Sequence, residues 1–97
     1  MLRIPGVSAD AFQKVATEHA DDMQAITERS KEQGAAHHAF YESDGEVVVI
    51  DEWDSPESFQ KFFESEQPNI GPLIQAAGGT GEPTPTVFRR LDSGDAF

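Results

Sequence analysis

The dipeptide Asp44-Gly45, which separates two runs of strand-forming residues, constrains the fold more than any other feature of this chain. His37 to Tyr41 precede it, and Val47 to Ile50 follow it. An Asp-Gly pair favours a two-residue type I′ turn, because that turn needs positive φ at both central positions. The pattern therefore predicts an antiparallel hairpin over residues 35–53. A three-residue bulged loop is the alternative, and it would shift the register of the hairpin.

The two-residue turn assigns each hairpin residue to one face of the sheet. His38 then lies opposite Asp51, and Phe40 lies opposite Val49, because cross-strand partners share a face. One face carries Ala36, His38, Phe40, Val49, Asp51 and Trp53. The other face carries Ala35, His37, Ala39, Tyr41, Val48, Ile50 and Glu52. The register thus places one histidine beside a carboxylate on each face.

The segment before the hairpin has the pattern of an amphipathic helix. Ser8 is a favourable N-cap residue after the break at Pro5-Gly6. The residues at steps of three and four are Phe12, Val15, Ala16, His19, Met23 and Ile26. This spacing predicts one helix of about 22 to 26 residues that ends near Gly34.

Helix caps and glycines delimit the elements after the hairpin. Ser55 as N-cap and Pro56 at N1 predict a second helix that ends before Pro68. Its aromatic side carries Phe59, Phe62 and Phe63. The remaining predicted segments are a helical turn over 69–77, a flexible connector over 80–85, a last strand over 86–91 and a polar tail over 92–97.

With a short apolar strand over Met1–Ile4, the element order is strand, helix, strand, strand, helix, strand. This order predicts one ferredoxin-like α+β domain over residues 1–97, with a four-stranded antiparallel sheet. A chain of 97 residues buries only about 60 to 65% of its unfolded surface. Because a second copy could cover one face of the sheet and add to a thin core, we expect a homodimer.

Charge and composition exclude several classes of partner and site. The formal net charge is −11, from 18 acidic and 7 basic residues, which disfavours binding to nucleic acid. The chain has no cysteine, so disulfides, thiolate metal sites and cysteine nucleophiles are excluded. No apolar run approaches the length of about 18 residues needed to cross a bilayer. We therefore expect a cytoplasmic protein that does not bind membranes.

The residues that end the hairpin and begin the next helix resemble a known family. The segment Asp51-Glu52-Trp53, followed by Asp54-Ser55-Pro56-Glu57-Ser58-Phe59, is similar to the antibiotic biosynthesis monooxygenase-like family, and the element order is similar over essentially the whole chain. The resemblance implies a dimeric α/β barrel. Members of the family include cofactor-free oxygenases of polyketide anthrones, quinol oxygenases and haem-degrading enzymes.

Two departures from the family pattern bear on cofactors. Many members carry a histidine in a His-x-x-Ser pattern on the helix after the Trp, where this chain has Phe62 ahead of Ser65. Haem-degrading members need an axial histidine on the following helix, and residues 70–77 contain none. We therefore expect no haem, no metal ion and no other cofactor.

The resemblance also implies that Trp53 points under the helices, so that its face of the sheet lines a pocket for an aromatic or polycyclic ligand. In that pocket His38 is the candidate general base and Asp51 the residue that orients it. The candidate substrate-binding residues are Trp53, Phe40, His19, Phe59, Phe62, Phe63 and Leu73. The implied activity is cofactor-independent monooxygenation or isomerisation of an activated phenolic or enolisable substrate.

Each candidate also has a purely structural interpretation. His38 and Asp51 can satisfy each other inside the sheet without any catalytic role. His19 can be a half-buried histidine with a local partner, Trp53 can serve core packing, and His37 opposite Glu52 can be a surface or interface pair. On that reading the chain is a non-catalytic binding module or a structural dimeric module.

Overall fold

A computed structural model of the chain describes residues 1–80 and 83–97. Over these residues the architecture is α+β, with four strands and three helices. The strands are β1 (Leu2–Pro5), β2 (Ala35–Ser43), β3 (Glu46–Trp53) and β4 (Thr84–Pro85). The helices are α1 (Ala9–Glu18), α2 (Ala20–Glu32) and α3 (Pro56–Ala76).

The four strands form one antiparallel sheet in the order β2-β3-β1-β4. Two crossovers produce this order, because β1 lies between β3 and β4 although β3 follows β2 directly in the chain. The arrangement is compatible with a ferredoxin-like fold. The buried core lies on the inner face of the sheet, where Ile4, Val47 and Val49 meet Val15 of α1 and Ala77 at the end of α3.

The hairpin β2–β3 has the predicted two-residue register. Phe40 pairs with Val49 and His38 pairs with Asp51. The predicted type I′ turn is wrong, because Gly45 has a positive φ of 73° but Asp44 does not. At the open end the prediction is wrong by one residue, since Ala35 rather than Ala36 pairs with Trp53. Such a shift is a β-bulge, which adds one residue to one strand.

The first predicted helix is two helices. Residue His19 separates α1 from α2 with φ −119° and ψ 33°, outside the helical region. The N-cap at Ser8 is confirmed, because its Oγ accepts a hydrogen bond of 3.1 Å from the Ala11 N–H. Since α1 contacts β3 while α2 contacts β2, the break lets each helix follow a different strand of a twisted sheet.

Helix α3 continues through both of its internal prolines, so its predicted end before Pro68 is wrong. Pro68 and Pro72 are both exposed, and a solvent-facing helix side tolerates the loss of amide hydrogen bonds better than a buried side. The opposite side is held by buried Phe62 and buried Glu66. Tertiary contacts therefore override the local preference of proline to end a helix. The N-cap at Ser55 is confirmed by a hydrogen bond of 3.1 Å from the Ser58 N–H.

The last strand lies earlier and is shorter than predicted. Among the described residues after α3, Thr84 and Pro85 are the ones that pair with β1, and residues 86–91 form no strand. The Thr86 N–H still donates to the Met1 carbonyl at 2.8 Å. The prediction of a strand at 86–91 is wrong, because the pairing with β1 lies at Thr84 and Pro85. The connector predicted over 80–85 lies partly at 81–82, outside the described residues.

Among residues 1–80 and 83–97, no helix is both long enough and apolar enough to cross a membrane.

Candidate functional site

A cavity of about 130 Å³ lies between the inner face of the sheet and the three helices. The sheet contributes His38, Phe40, Val47, Val49 and Asp51 to its wall. Helices α1 and α2 contribute Phe12, Val15, Met23, Ile26, Thr27 and Ser30. Helix α3 contributes Phe59, Phe62, Phe63, Ile70, Leu73 and Ile74. The structure thus brings together seven of the predicted site residues around one apolar space: His38, Asp51, Phe40, Phe59, Phe62, Phe63 and Leu73.

Among the described residues, His38 and Asp51 are the two ionisable ones that line the cavity. The two residues are cross-strand partners, and their Nδ1 and Oδ1 atoms lie 2.6 Å apart. The side chain of Asp51 is 19% exposed and that of His38 is 30% exposed, while His38 as a whole residue lies exposed on the strand. An ionised carboxylate has no hydrogen to give, so Nδ1 carries the proton, and in the neutral imidazole Nε2 keeps a free lone pair. The imidazole is thereby held in the tautomer that a general base needs.

Two aromatic neighbours support this pair. The ring of Phe40 lies edge-on to His38, with centroids 4.9 Å apart. The indole N–H of Trp53 points to the second carboxylate oxygen of Asp51 over 3.5 Å, a long and therefore weak hydrogen bond. These contacts restrict the orientations that the imidazole and the carboxylate can adopt.

Trp53 stands behind the aromatic wall and is not among the residues that line the cavity. Its ring packs against Phe59 at 5.8 Å and Phe62 at 5.1 Å between centroids, while Phe59 stacks on Phe63 at 5.6 Å. The spacing of three and four residues along α3 puts these phenylalanines on one helix face. That Trp53 provides a stacking surface for a ligand stays a prediction.

His19 is not among the residues that line the cavity. At the break between α1 and α2 its Nδ1 is 3.5 Å from Asp22 Oδ2, and its side chain is 39% exposed. It borders a different, more polar cleft together with Arg29, Asn69 and Pro72. The bend at His19 takes this residue off the stripe that Phe12 and Ile26 present to the cavity.

Two hydroxyl groups on the wall were not predicted from the sequence. Thr27 donates to the Met23 carbonyl at 3.0 Å, and Ser30 donates to the Thr27 carbonyl at 2.6 Å. Ser30 is buried, with 6% of its surface exposed. Their spacing of four and seven residues from Met23 was a usable signal, because these positions continue the apolar face of α2.

An ion pair between α2 and α3 also escaped prediction. Arg29 donates from Nε and Nη2 to the two oxygens of Glu66 at 2.7 and 2.9 Å, and Asn69 donates a third hydrogen bond at 3.1 Å. Glu66 is only 4% exposed. The hydrogen bonds from Arg29 lower the pKa of the Glu66 carboxyl, and the same contact raises the pKa of Arg29. The pair ties together two helices that cover the cavity.

Within the part of the chain that the structure describes, no group of three or more histidine, aspartate and glutamate side chains is arranged to hold a metal ion.

Comparisons with protein-family models, with curated proteins and with solved structures find no match to this chain. The resemblance to the antibiotic biosynthesis monooxygenase-like family therefore stays a prediction from the sequence.

Proposed function

We propose that this chain binds a small aromatic molecule in the cavity and acts on it as a cofactor-independent monooxygenase. The observation that carries the proposal is the His38–Asp51 pair, 2.6 Å apart, in the wall of an otherwise largely apolar, phenylalanine-rich cavity. Small-molecule sites commonly combine an apolar lining with a few placed polar groups.

The first step is removal of a proton from a phenolic hydroxyl by Nε2 of His38. Asp51 stabilises the imidazolium that forms, because its carboxylate already accepts the Nδ1 hydrogen. General-base catalysis of this kind contributes about 100- to 10,000-fold to a rate. The apolar wall keeps water away from the resulting anion.

The second step is oxidation of that anion by O2. For 1,4-hydroquinone the overall reaction gives 2-hydroxy-1,4-benzoquinone and water. One atom of O2 enters the ring and the other leaves as water, so the four electrons that O2 accepts are the four that the ring loses. The electron-rich phenolate is the reductant, and no further co-reactant is needed.

The size of the cavity favours a ligand of one ring. An apolar cavity of about 150 Å³ accommodates benzene, and the cavity here measures about 130 Å³. A polycyclic ligand such as an anthrone is larger than this volume and would extend out of the cavity. We therefore propose single-ring quinols as the first substrates to test.

The test is oxygen consumption with a panel of hydroquinones by the wild type, His38→Ala and His37→Ala. We expect His38→Ala to lose at least about 100-fold in rate. His37→Ala is the matched control, since it removes an exposed histidine from the adjacent position of the same strand and should keep the wild-type rate. Equal rates in folded His38→Ala and wild type would show that His38 is not the general base.

A non-catalytic binding module is the competing function. It is favoured by the direct bond between His38 and Asp51, which satisfies both side chains without a substrate. In that case His38→Ala lowers the melting temperature, and the wild type binds quinols without consuming oxygen.

We also propose that two copies pair through the outer faces of their sheets and form a dimeric barrel. On this face Tyr41 is 54% and Ile50 is 48% exposed. The segment after β4 exposes Val87, Phe88 and Leu91 by 54%, 70% and 82%. Arg90 donates to Glu52 at 3.1 Å, which brings this segment close to the outer face, and exposed apolar groups that lie together are typical of an interface.

Light scattering during gel filtration tests the dimer. We expect the mass of two chains for the wild type and for Gln24→Lys, which changes an exposed position of α2. Ile50→Lys should give the mass of one chain, because it places a charge in the proposed interface. A wild type with the mass of one chain at micromolar concentration would overturn the dimer.

A further inference from the structure

We infer that the cavity selects ligands by hydrogen-bond donation: a small uncharged ring that carries an O–H or N–H group binds, and an isomer that offers only acceptors binds weakly. The inference rests on the proposed function in one respect, namely that this cavity is the ligand site. It adds the chemical class of the ligand and the atom that recognises it.

The first observation is that the hydroxyl groups on the wall have no hydrogen left for a ligand. Thr27 donates its hydroxyl hydrogen to the Met23 carbonyl at 3.0 Å, and Ser30 donates to the Thr27 carbonyl at 2.6 Å. A hydroxyl group has one donor and two acceptor lone pairs. Towards the cavity, both hydroxyls can therefore act only as acceptors.

The second observation concerns the histidine and the carboxylate. In the neutral imidazole, Nδ1 of His38 donates its hydrogen to Asp51 at 2.6 Å, so this form offers a ligand only the lone pair of Nε2. Asp51, as a carboxylate, also only accepts. Among the described residues these four side chains are the polar ones that line the cavity, and each of them presents acceptors alone.

Such a wall discriminates between functional groups. A phenol donates its hydrogen to Nε2, whereas an ether or a carbonyl brings one acceptor against another and leaves both without a partner. Because an unsatisfied buried polar group is costly, the difference amounts to about tenfold in affinity. A carboxylate ligand is excluded more strongly, since it also meets the charge of Asp51.

The experiment compares two isomers of the same size by isothermal titration calorimetry, with toluene as the apolar reference. We expect 4-methylphenol to bind with a Kd about tenfold lower than methoxybenzene, and methoxybenzene to bind no more tightly than toluene. Equal affinities of the two isomers, a preference for methoxybenzene, or no binding of 4-methylphenol would each overturn the inference.

Variants identify the recognising atom. His38→Phe keeps a ring beside Phe40 but removes Nε2, and the affinity ratio of the two isomers should fall, although Thr27, Ser30 and Asp51 still present acceptors. His37→Phe is the control on the other face of the sheet and should keep the ratio. His38→Gln covers the case in which His38→Phe does not fold; its amide supplies a donor, so methoxybenzene should gain affinity. An unchanged ratio in folded His38→Phe or His38→Gln contradicts the assignment.

The calorimetry is carried out without O2, which separates this inference from the proposed activity. Turnover of quinols with equal affinity for the two isomers refutes the donor selectivity alone. Donor selectivity without turnover refutes the oxygenase alone.

Discussion

Each face of the β2–β3 hairpin carries one histidine opposite one carboxylate, but the two pairs make different contacts. On the inner face His38 binds Asp51 over 2.6 Å, and the two side chains are 30% and 19% exposed. On the outer face His37 pairs with Glu52 in the ladder, but Glu52 accepts its hydrogen bond from Arg90 at 3.1 Å and is 52% exposed. The comparison teaches that the face of the sheet, rather than the residue types, makes one pair a candidate for chemistry.

Neutralising each carboxylate should give the largest contrast between the faces. We expect Asp51→Asn to lower the oxygenation rate by about 100-fold or more, because an amide neither fixes the tautomer of His38 nor stabilises the imidazolium. Glu52→Gln should leave the rate unchanged. The measurement is oxygen consumption under saturating quinol. Equal rates of the two variants would show that Asp51 contributes no more to catalysis than Glu52 does.

The open end of the hairpin can be tested at Gly34, the residue just before β2. This residue has φ +119°, and an added Cβ would meet the side chain of Asp54, whose N–H donates to the Gly34 carbonyl at 3.0 Å. Gly34→Ala should cost about 2 kcal/mol of stability. Gly71→Ala is the matched control, because its Cβ meets no atom within 4 Å in a helix, and it should be neutral or stabilising. Chemical denaturation of both variants decides, and equal stabilities would contradict the prediction.

The ion pair over the cavity predicts a dependence of stability on pH. The pKa of Glu66 is lowered in the folded state by Arg29. Its contribution to the free energy of unfolding is therefore present above the unfolded carboxyl pKa, about 4.3, and is lost as the pH falls through the lower folded pKa.

Glu66→Gln should accordingly reduce stability at neutral pH and flatten the loss of stability in acid. Glu64→Gln, at an exposed position of the same helix, should keep the wild-type acid profile. The measurement is the free energy of unfolding from about pH 7 to 3. Parallel profiles for Glu66→Gln and the wild type would show that protonation of Glu66 does not contribute to the dependence of stability on pH.

The smallest effect is expected on the outer face. His37→Ala removes an exposed side chain, and its free energy of unfolding should stay within about 0.5 kcal/mol of the wild type. Denaturant titration measures this directly. A loss above about 1 kcal/mol would mean that His37 makes a contact as important as that of His38.

Local chemistry in the sequence was sufficient for the hairpin and for the caps. The Asp44-Gly45 turn predicted the pairing of His38 with Asp51, and Ser8 and Ser55 predicted the starts of α1 and α3; all of these are confirmed. Each of these features depends on residues close together in the chain or on a turn that sets the register of its two strands. For the same reason most of the cavity wall was predictable once the inner face was known.

Tertiary structure decided the features whose partners lie far away in the sequence. The helix breaks at His19 because α1 and α2 follow different strands, and α3 continues past Pro68 with Glu66 held by Arg29 of α2. The last strand lies at Thr84 and Pro85, where it pairs with Arg3 and Leu2 of β1. Local sequence patterns indicate what a segment prefers, whereas the length and position of a partner element determine whether that preference can be realised.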